Sequence, residues 1–173
     1  MSDQLTAEQL KQALKYNEQT GEFRWLSGEH RLIGKVAGTI TRPKRYLRIG
    51  VRRRYYPAHH LAWLYVHGFL PPCIDHIDGN RLNNRISNLR LADGSQNNMN
   101  AKLRSDNTSG VKGVRWSPRH KQWRVIVCAY GVAHHIGYFR ELQDAAIARL
   151  EAATRIHGDF ARQAVSSAAL MTR

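Results

Sequence analysis

The amino-acid sequence predicts an α+β protein in two parts, and three observations support this prediction. Polar and apolar residues alternate in short runs between residues 22 and 51, as they do in half-buried strands. A compact apolar run from His60 to His67 is typical of a short buried helix. Three more strand candidates and an alanine-rich helix occupy residues 113–157. A length of 173 residues suits one ordinary domain or two small ones.

The first part is predicted to begin with a helix and to continue as short strands. Thr6 is a suitable N-cap, and the residues that follow place an apolar stripe at helical spacing. A turn is predicted over residues 17–21, and strands over residues 22–26 and 46–51. The stretch from Arg42 to Arg54 holds seven basic residues and no acidic one.

The region after residue 74 changes character. Residues 75–98 are rich in Asn and Arg and predict a loop, which leads into a helix from about Ser95 to Arg104. Strands are then predicted at residues 113–117, 122–129 and 133–138, and a helix at residues 142–157 that Gly158 ends. The predicted domains are residues 1–104 and 111–161, with a linker at residues 105–110 and a frayed tail at residues 162–173.

Charge gives the first indication of function. The chain has 27 Lys and Arg against 13 Asp and Glu, hence a net charge of +14, and an isoelectric point near 10.5. Such a balance favours a polyanionic partner, most often nucleic acid, over a membrane surface, because the basic residues are not concentrated on one amphipathic helix.

Several functional classes are excluded by composition. No apolar run is long enough for a transmembrane helix. The polar start, MSDQLTAEQL, does not resemble a signal peptide, so a cytoplasmic protein is predicted. Cys73 and Cys128 are too few for a disulfide framework or a four-thiolate zinc site.

A candidate hydrolytic site is the adjacent pair Asp75 and His76. A carboxylate can hold a hard cation, and an imidazole can accept a proton from water. The pair by itself is weak evidence for such a site and favours a surface ion pair or a structural histidine. Because neighbours on a regular strand point to opposite faces, the two side chains share a site only if the chain bends, which Pro72 and Gly79 would permit.

The surrounding motifs change the balance between these interpretations. They are DHIDGN at residues 75–80, NR at 84–85, SNLR at 87–90 and NN at 97–98, with AHHLAW upstream at 58–63. Together they resemble the HNH homing endonucleases of phages and group I introns, which have the ββα-metal fold. The resemblance covers roughly residues 5–104.

The resemblance implies a role for each matching residue. His76 corresponds to the general base, and Asp75 and Asn97 to the metal ligands, with Asn98 as the rival of Asn97. Asn88 corresponds to the residue that fixes the loop. Two protein oxygens leave an open site that suits Mg²⁺ or Mn²⁺, and no structural zinc is expected.

Other polar residues of this region are open to two interpretations. Three arginines could clamp phosphate, or they could remain solvated or pair with Asp78 and Asp93. These arginines are Arg81, Arg85 and Arg90. The remaining asparagines, Asn84 among them, are interpreted as turn-formers, and His59 as a packing residue.

The second part carries a separate resemblance. Its motifs are SGVKGVRW at residues 109–116, KQWRV at 121–125, IGYF at 136–139, AA at 145–146 and HG at 157–158. They resemble the plant Apetala/ethylene-response-factor DNA-binding domain, which lays a three-stranded antiparallel sheet in the major groove and packs it on one helix. Ala133 and His135 depart from the plant pattern of Arg and Trp, so the plant target sequence is not transferred.

Alternation predicts which face of this sheet meets DNA. The valines and tryptophans, Trp116 and Trp123 included, are predicted to pack against the helix. The candidate DNA contacts on the other face are Arg115, Ser117, Arg124, Ile126 and His135. Arg115 and Arg124 are the best candidates for base edges or phosphates.

The sequence therefore predicts a metal-dependent DNA endonuclease, of the free-standing homing type, acting on double-stranded DNA. A monomer is favoured, in the bacterial host cytoplasm if a phage encodes it. The alternative is a non-catalytic DNA-binding protein or regulator with a decayed nuclease domain. An RNA-binding protein is a third hypothesis. A sheet that binds in the major groove disfavours it, because the major groove of A-form RNA is too narrow to admit such a sheet.

Overall fold

A computed structural model describes residues 4–42 and 46–161. Contacts divide the chain into two compact units, Met1–Ala92 and Asp93–Arg173. This division falls before the linker that the sequence predicts at residues 105–110. The predicted tail, residues 162–173, lies outside the described residues.

Within residues 4–42 and 46–92, the first unit combines two α-helices with three small antiparallel sheets. Its helices are α1 (Ala7–Ala13) and α2 (Ala58–His67). Its strands are β1 (Leu14–Tyr16), β2 (Phe23–Trp25), β3 (Thr39–Thr41), β4 (Tyr46–Val51), β5 (Arg54–Pro57), β6 (Ile74–His76) and β7 (Leu89–Leu91). The sheets are β1–β2, β3–β4–β5 and β6–β7, so the fold is α+β as predicted.

Local signals account for both helices. Thr6 caps α1 in a capping box, in which its hydroxyl accepts from the Gln9 amide and the Gln9 side chain accepts from the Thr6 amide. The helix α2 ends at Gly68, whose left-handed conformation (φ 82°) satisfies a terminal carbonyl. The core between them buries Leu10, Phe23, Leu61 and other apolar side chains.

A tight turn joins β1 to β2 and contacts the loop that precedes β7. Gly21 has a φ of +76°, and a Cβ at this position would lie 2.6 Å from the Arg85 amide nitrogen. Gly34 has nearly the same φ, +79°, but nothing lies within 4 Å of its Cβ position. Substituting each glycine in turn therefore distinguishes the cost of a positive φ from the cost of steric overlap.

We expect Gly21→Ala to lower the free energy of unfolding by about 2–4 kcal/mol, because it adds overlap with backbone to the cost of a positive φ. Gly34→Ala should cost only about 1–2 kcal/mol, the cost of the positive φ alone. Urea unfolding of both variants measures the difference. Equal losses would show that the contact at Gly21 can relax.

Within residues 93–161, the second unit contains a three-stranded antiparallel sheet and two α-helices. The elements are α3 (Gly94–Asn100), β8 (Val114–Ser117), β9 (Gln122–Ala129), β10 (Val132–Phe139) and α4 (Leu142–His157), and β9 is the central strand. Val125, Ala145 and Ala146 lie in its core. The bounds of β9 and α4 are those predicted, and the predicted Tyr130-Gly131 turn joins β9 to β10 with a positive φ at both residues.

The helix α3 is shorter than predicted and ends at Asn100 rather than near Arg104. Its carbonyl end is closed by Lys112, whose Nζ donates to the carbonyl oxygens of Asn98, Met99 and Ala101 at 2.7, 3.0 and 2.9 Å. In a longer helix, the amides of a further turn would donate to carbonyls such as these, and here the Lys112 ammonium takes their place. Through these bonds α3 is joined to the region that leads into the sheet.

One packing prediction for the sheet is wrong. Trp123 is half-buried against the core, but Trp116 is 42% exposed. Trp116 lies near the end of β8 and makes an edge contact with Trp123, at 5.2 Å between ring centroids.

In the part of the chain that the structure describes, no helix combines the length and apolarity that a membrane span requires.

Candidate active site and nucleic-acid surface

The strand β6 carries the Asp75-His76 pair and is regular. It pairs with β7 in the register Ile74↔Leu91, Asp75↔Arg90 and His76↔Leu89, and all three residues of β6 are buried. Asp75 and His76 therefore point to opposite faces of the ladder. The chain turns immediately afterwards, where the Gly79 amide donates to the His76 carbonyl oxygen at 2.7 Å.

His76 is enclosed by polar and aromatic side chains. Its exposed fraction is 4%, and its ring centroid lies 4.9 Å from that of His59 and 6.2 Å from that of Tyr46. Burial lowers the pKa of His76, and a hydrogen bond with Asn84 only partly opposes this. The ring is therefore neutral at pH 7 and can accept a proton.

Asn84 orients the His76 ring. Its Oδ1 lies 3.2 Å from His76 Nε2, and its Nδ2 donates to the Leu82 carbonyl oxygen at 3.3 Å. Because an amide oxygen only accepts, His76 Nε2 carries the ring proton, and Nδ1 has the lone pair that a general base needs. Asn84 is 1% exposed, and its own carbonyl oxygen accepts from the Tyr16 hydroxyl at 2.6 Å.

The sequence did not predict that Asn84 belongs to the site. The pattern indicated a turn-former, because asparagine in an Asn-rich loop commonly satisfies nearby backbone groups. The residues between His76 and Asn84 form neither helix nor strand, so no periodicity predicts the contact.

His59 packs against His76, in agreement with its interpretation as a packing residue. Burial lowers the pKa of His59 to about 3, with the neighbouring histidines adding to the effect. Its Nδ1 is buried without a hydrogen-bond partner among the described residues. The neutral ring places no charge beside His76.

Asp75 forms a buried ion pair with Arg90. Arg90 Nε and Nη2 both donate to Asp75 Oδ2, at 2.9 and 2.7 Å. The sequence had offered Asp78 and Asp93 as carboxylate partners of Arg90, but the cross-strand register brings Asp75 opposite it instead. The negative charge of the candidate metal ligand is therefore compensated within the ladder.

Asn88 closes the loop between β6 and β7. Its Nδ2 donates to Asp78 Oδ1 at 2.9 Å and to the Asn83 carbonyl oxygen at 2.8 Å, and its Oδ1 accepts from the Asp78 amide at 3.0 Å. These are the contacts of a residue that fixes loop geometry. Arg81 and Arg85 are both exposed on this loop, with Arg81 lying 5.0 Å from the centre of the Tyr46 ring.

Asn97 and Asn98 lie side by side on α3, in the second unit. Asn97 is half-buried and Asn98 is exposed. Carboxylate and amide oxygens such as those of Asp75 and Asn97 are the donors that Mg²⁺ and Mn²⁺ prefer. Within residues 4–42 and 46–161, no group of three or more His, Cys, Asp or Glu could hold a metal ion.

The five candidate DNA contacts of the second unit share one face of its sheet. Arg115 lies directly opposite Arg124 in the β8–β9 pair, and Ile126 lies opposite His135 in the β9–β10 pair. Ser117 follows two residues after Arg115 and so lies on the same face. Arg115, Arg124 and His135 are exposed.

The Arg115–Arg124 pair has an electrostatic consequence. Like charges directly opposite on paired strands destabilise a sheet. An anion placed over this face would remove that repulsion, so the pair is suited to phosphate or to the electronegative edge of guanine.

A basic turn in the first unit was not among the predicted site residues. Arg52 and Arg53 form the two-residue connection between β4 and β5, with φ of 49° and 64°. This is the type I′ geometry that Asn-Gly normally occupies, and two arginines adopt it at a cost in strain. Both side chains are exposed.

Comparison with known proteins identifies the family. The family model for HNH endonucleases matches residues 56–99. Protein 3.8 of Escherichia phage T7 is 39% identical over 109 residues, which cover 61% of this chain and 89% of the phage protein. The chain belongs to one family with Protein 3.8, and its residues 56–99 are an HNH endonuclease domain.

A second relative supports the nuclease assignment of the HNH domain. It is an uncharacterized HNH endonuclease of Acanthamoeba polyphaga mimivirus, 36% identical over 100 residues, which cover 57% of this chain and 51% of the relative. No solved structure matches the chain significantly. The HNH domain runs from the end of β5 through α2 and the β6–β7 ladder into α3, so it includes His76, Asp75, Asn88 and Asn97. An HNH endonuclease domain implies nuclease activity with DNA as substrate.

Proposed function

We propose that this protein is a metal-dependent DNA endonuclease of the free-standing homing type, acting as a monomer in the cytoplasm of a phage-infected bacterial cell. The observation that carries the proposal is the state of His76 inside the HNH domain. Its ring is buried and neutral, and the contact with Asn84 fixes the proton on Nε2. This leaves Nδ1 as the proton acceptor.

Phosphodiester hydrolysis assigns a separate task to each residue. His76 Nδ1 accepts a proton from water as the water oxygen attacks phosphorus and the bond to the departing 3′ oxygen breaks. Arg81 and Arg85 bind the flanking phosphates through charge-assisted hydrogen bonds. Asp75 and Asn97 would hold Mg²⁺ or Mn²⁺, which when bound supplies positive charge for the phosphate and the leaving oxygen. Because the regular strand β6 directs Asp75 and His76 to opposite faces, this assignment requires β6 to bend when DNA and metal bind. Asn88 keeps the loop in shape.

We propose that residues 111–161 recognise DNA as an ethylene-response-factor-like module. The exposed Arg115 and Arg124 on one sheet face, with His135 beside them, support this role. A three-stranded sheet places such side chains where they reach base edges in the major groove. DNA cleavage and DNA sequence recognition would then be carried out by different parts of the chain.

A non-catalytic DNA-binding role is the second candidate. The observation that favours it is the ion pair of Asp75 with Arg90, because a carboxylate already bound to a guanidinium holds a cation less well. Cleavage of a DNA substrate with Mg²⁺, and its loss with chelator, would exclude this alternative.

We expect Asp75→Ala and Asn97→Ala to reduce cleavage and to recover partly at high Mg²⁺ or Mn²⁺, because each removes one metal oxygen and so weakens metal binding. Asn98→Ala is the matched control on the same helix and should be mild. Single-turnover cleavage measured across metal concentration compares the three variants. Severe loss in Asn98→Ala with normal activity in Asn97→Ala would move the ligand by one residue.

A further inference from the structure

Arg149 is a buried cation on the inner face of α4. It is 5% exposed and lies three or four residues from Ala145, Ala146, Ala152 and Ala153, which are all buried. Its stem packs beside Gly113, where a Cβ would lie 4.0 Å from Arg149 Cγ. Lysine, glutamate and arginine are almost never this buried unless they are paired.

No hydrogen bond or ion pair joins Arg149 to any residue in the described ranges 4–42 and 46–161. Burial alone lowers the pKa of its guanidinium, and no neighbouring carboxylate opposes that effect. Residues 162–173, beyond the described part, contain no Asp or Glu. An uncompensated buried charge is costly, whereas methionine would fill the same space without that cost.

Arg149 lines a cavity of about 310 Å³ within the second unit. This volume is at the lower end of the range for small-ligand pockets. Lys112 and His157 also line the cavity, together with Ser95 and Tyr130, and no acidic residue lines it. The ammonium of Lys112 adds a second positive charge.

His157 is a second polar group with spare bonding capacity in this wall. Its Nε2 lies 3.0 Å from the Cys128 carbonyl oxygen and donates to it, while its Nδ1 is buried without a hydrogen-bond partner among the described residues. The two residues offer an anion different groups, because Arg149 supplies N–H donors whereas Nδ1 of the neutral His157 ring only accepts a hydrogen bond.

We propose that this cavity is an anion site that binds a phosphate group through Arg149. A guanidinium presents a planar fork of donors that matches two phosphate oxygens, and the surrounding positive charge disfavours cations. The phosphate belongs either to the DNA backbone or to a free phosphate compound. The cavity adjoins the sheet face that carries Arg115 and Arg124, since Ile126 belongs to both, and the site requires no nuclease activity.

The test measures thermal unfolding of the full chain in sodium phosphate and in sodium chloride at equal ionic strength. At a phosphate concentration about a hundredfold above the dissociation constant, ligand linkage predicts a rise in Tm of at least about 5 °C for the wild type. Arg149→Met should lose this rise and should be as stable as the wild type, or more stable, in chloride. Arg155→Met removes an exposed arginine from the same helix and should keep the rise.

A second arm separates the two sources of phosphate. It measures binding of a DNA duplex in chelator, so that no cleavage occurs. If the phosphate is that of DNA, Arg149→Met weakens duplex binding on every sequence and reduces the salt slope of log K by about one, and inorganic phosphate alone has little effect. If the phosphate is free, inorganic phosphate stabilises the wild type and duplex binding is unchanged by Arg149→Met.

Either pattern supports the phosphate site. The proposal is overturned if wild type and Arg149→Met respond alike to both phosphate and duplex. If Arg149→Met fails to fold, Arg149→Gln repeats the comparison with a polar neutral side chain. A wild type that is insensitive to phosphate and whose duplex affinity is the same as that of Arg149→Gln would also overturn the proposal.

Discussion

Replacing His76 with alanine is expected to lower the single-turnover rate of DNA cleavage by about a hundredfold or more, the usual size of general-base catalysis. DNA affinity should barely change, because most of it comes from lysine and arginine side chains elsewhere. Raising Mg²⁺ or Mn²⁺ should not restore the rate, since the lost group accepts a proton and holds no metal. This separates His76→Ala from Asp75→Ala and Asn97→Ala.

The cleavage rate should also depend on pH through His76. Only the neutral ring accepts a proton, so the rate falls as the pH drops through the pKa of His76. Because burial lowers that pKa, the fall should lie below pH 6.5, the usual value for histidine, and the rate should be flat from pH 7 to 8. The acidic limb should disappear in His76→Ala.

Two further variants define the role of the His76 ring. His30→Ala removes an exposed histidine of the same unit and should leave the rate unchanged. Asn84→Ala removes the group that fixes the His76 proton on Nε2 and should lower the rate with little effect on DNA binding. A wild-type cleavage rate in His76→Ala would show that His76 is not the general base.

The second large effect is the salt dependence of DNA binding. If the protein neutralises about six phosphates, its affinity should fall roughly a thousandfold between 50 and 200 mM salt. The reason is that a chain of net charge +14 displaces condensed cations from DNA, and added salt opposes their release. Fluorescence anisotropy with a labelled duplex in chelator measures the slope.

Variants on two basic surfaces should affect this binding differently. Arg115→Ala and Arg124→Ala should weaken binding to the target more than binding to unrelated DNA, because base contacts carry sequence information. The double variant Arg52→Asn with Arg53→Gly preserves the type I′ turn and removes two exposed cations. It should weaken binding to every sequence alike and reduce the salt slope by about two.

Equal losses on all sequences for Arg115→Ala and Arg124→Ala would show that these residues contact phosphate only. An unchanged salt slope in the double variant would place the β4–β5 turn outside the DNA surface. The two results are independent, because the turn lies in the first unit and the sheet face in the second.

The sequence by itself determined the elements whose signals are local. The capping box at Thr6, the Gly68 stop after α2, the Tyr130-Gly131 turn and the bounds of α4 all depend on residues within about four positions of each other. The face shared by the DNA-contact candidates also follows from the period of two along a strand. The motifs around His76 placed the HNH domain for the same reason, since they are short and closely spaced.

Tertiary structure alone decided which distant side chains meet. The Asp75–Arg90 ion pair depends on the β6–β7 register, and the contact of Asn84 with His76 depends on how an irregular loop folds back. Lys112 and Ser95 bond α3 to the second unit across a long stretch of chain, and the burial of Arg149 depends on packing against the sheet. Residue spacing predicts helices, strands and turns. The contacts named here form only when the whole chain packs, because the free energy that stabilises them comes from burying and pairing groups that are distant in the sequence.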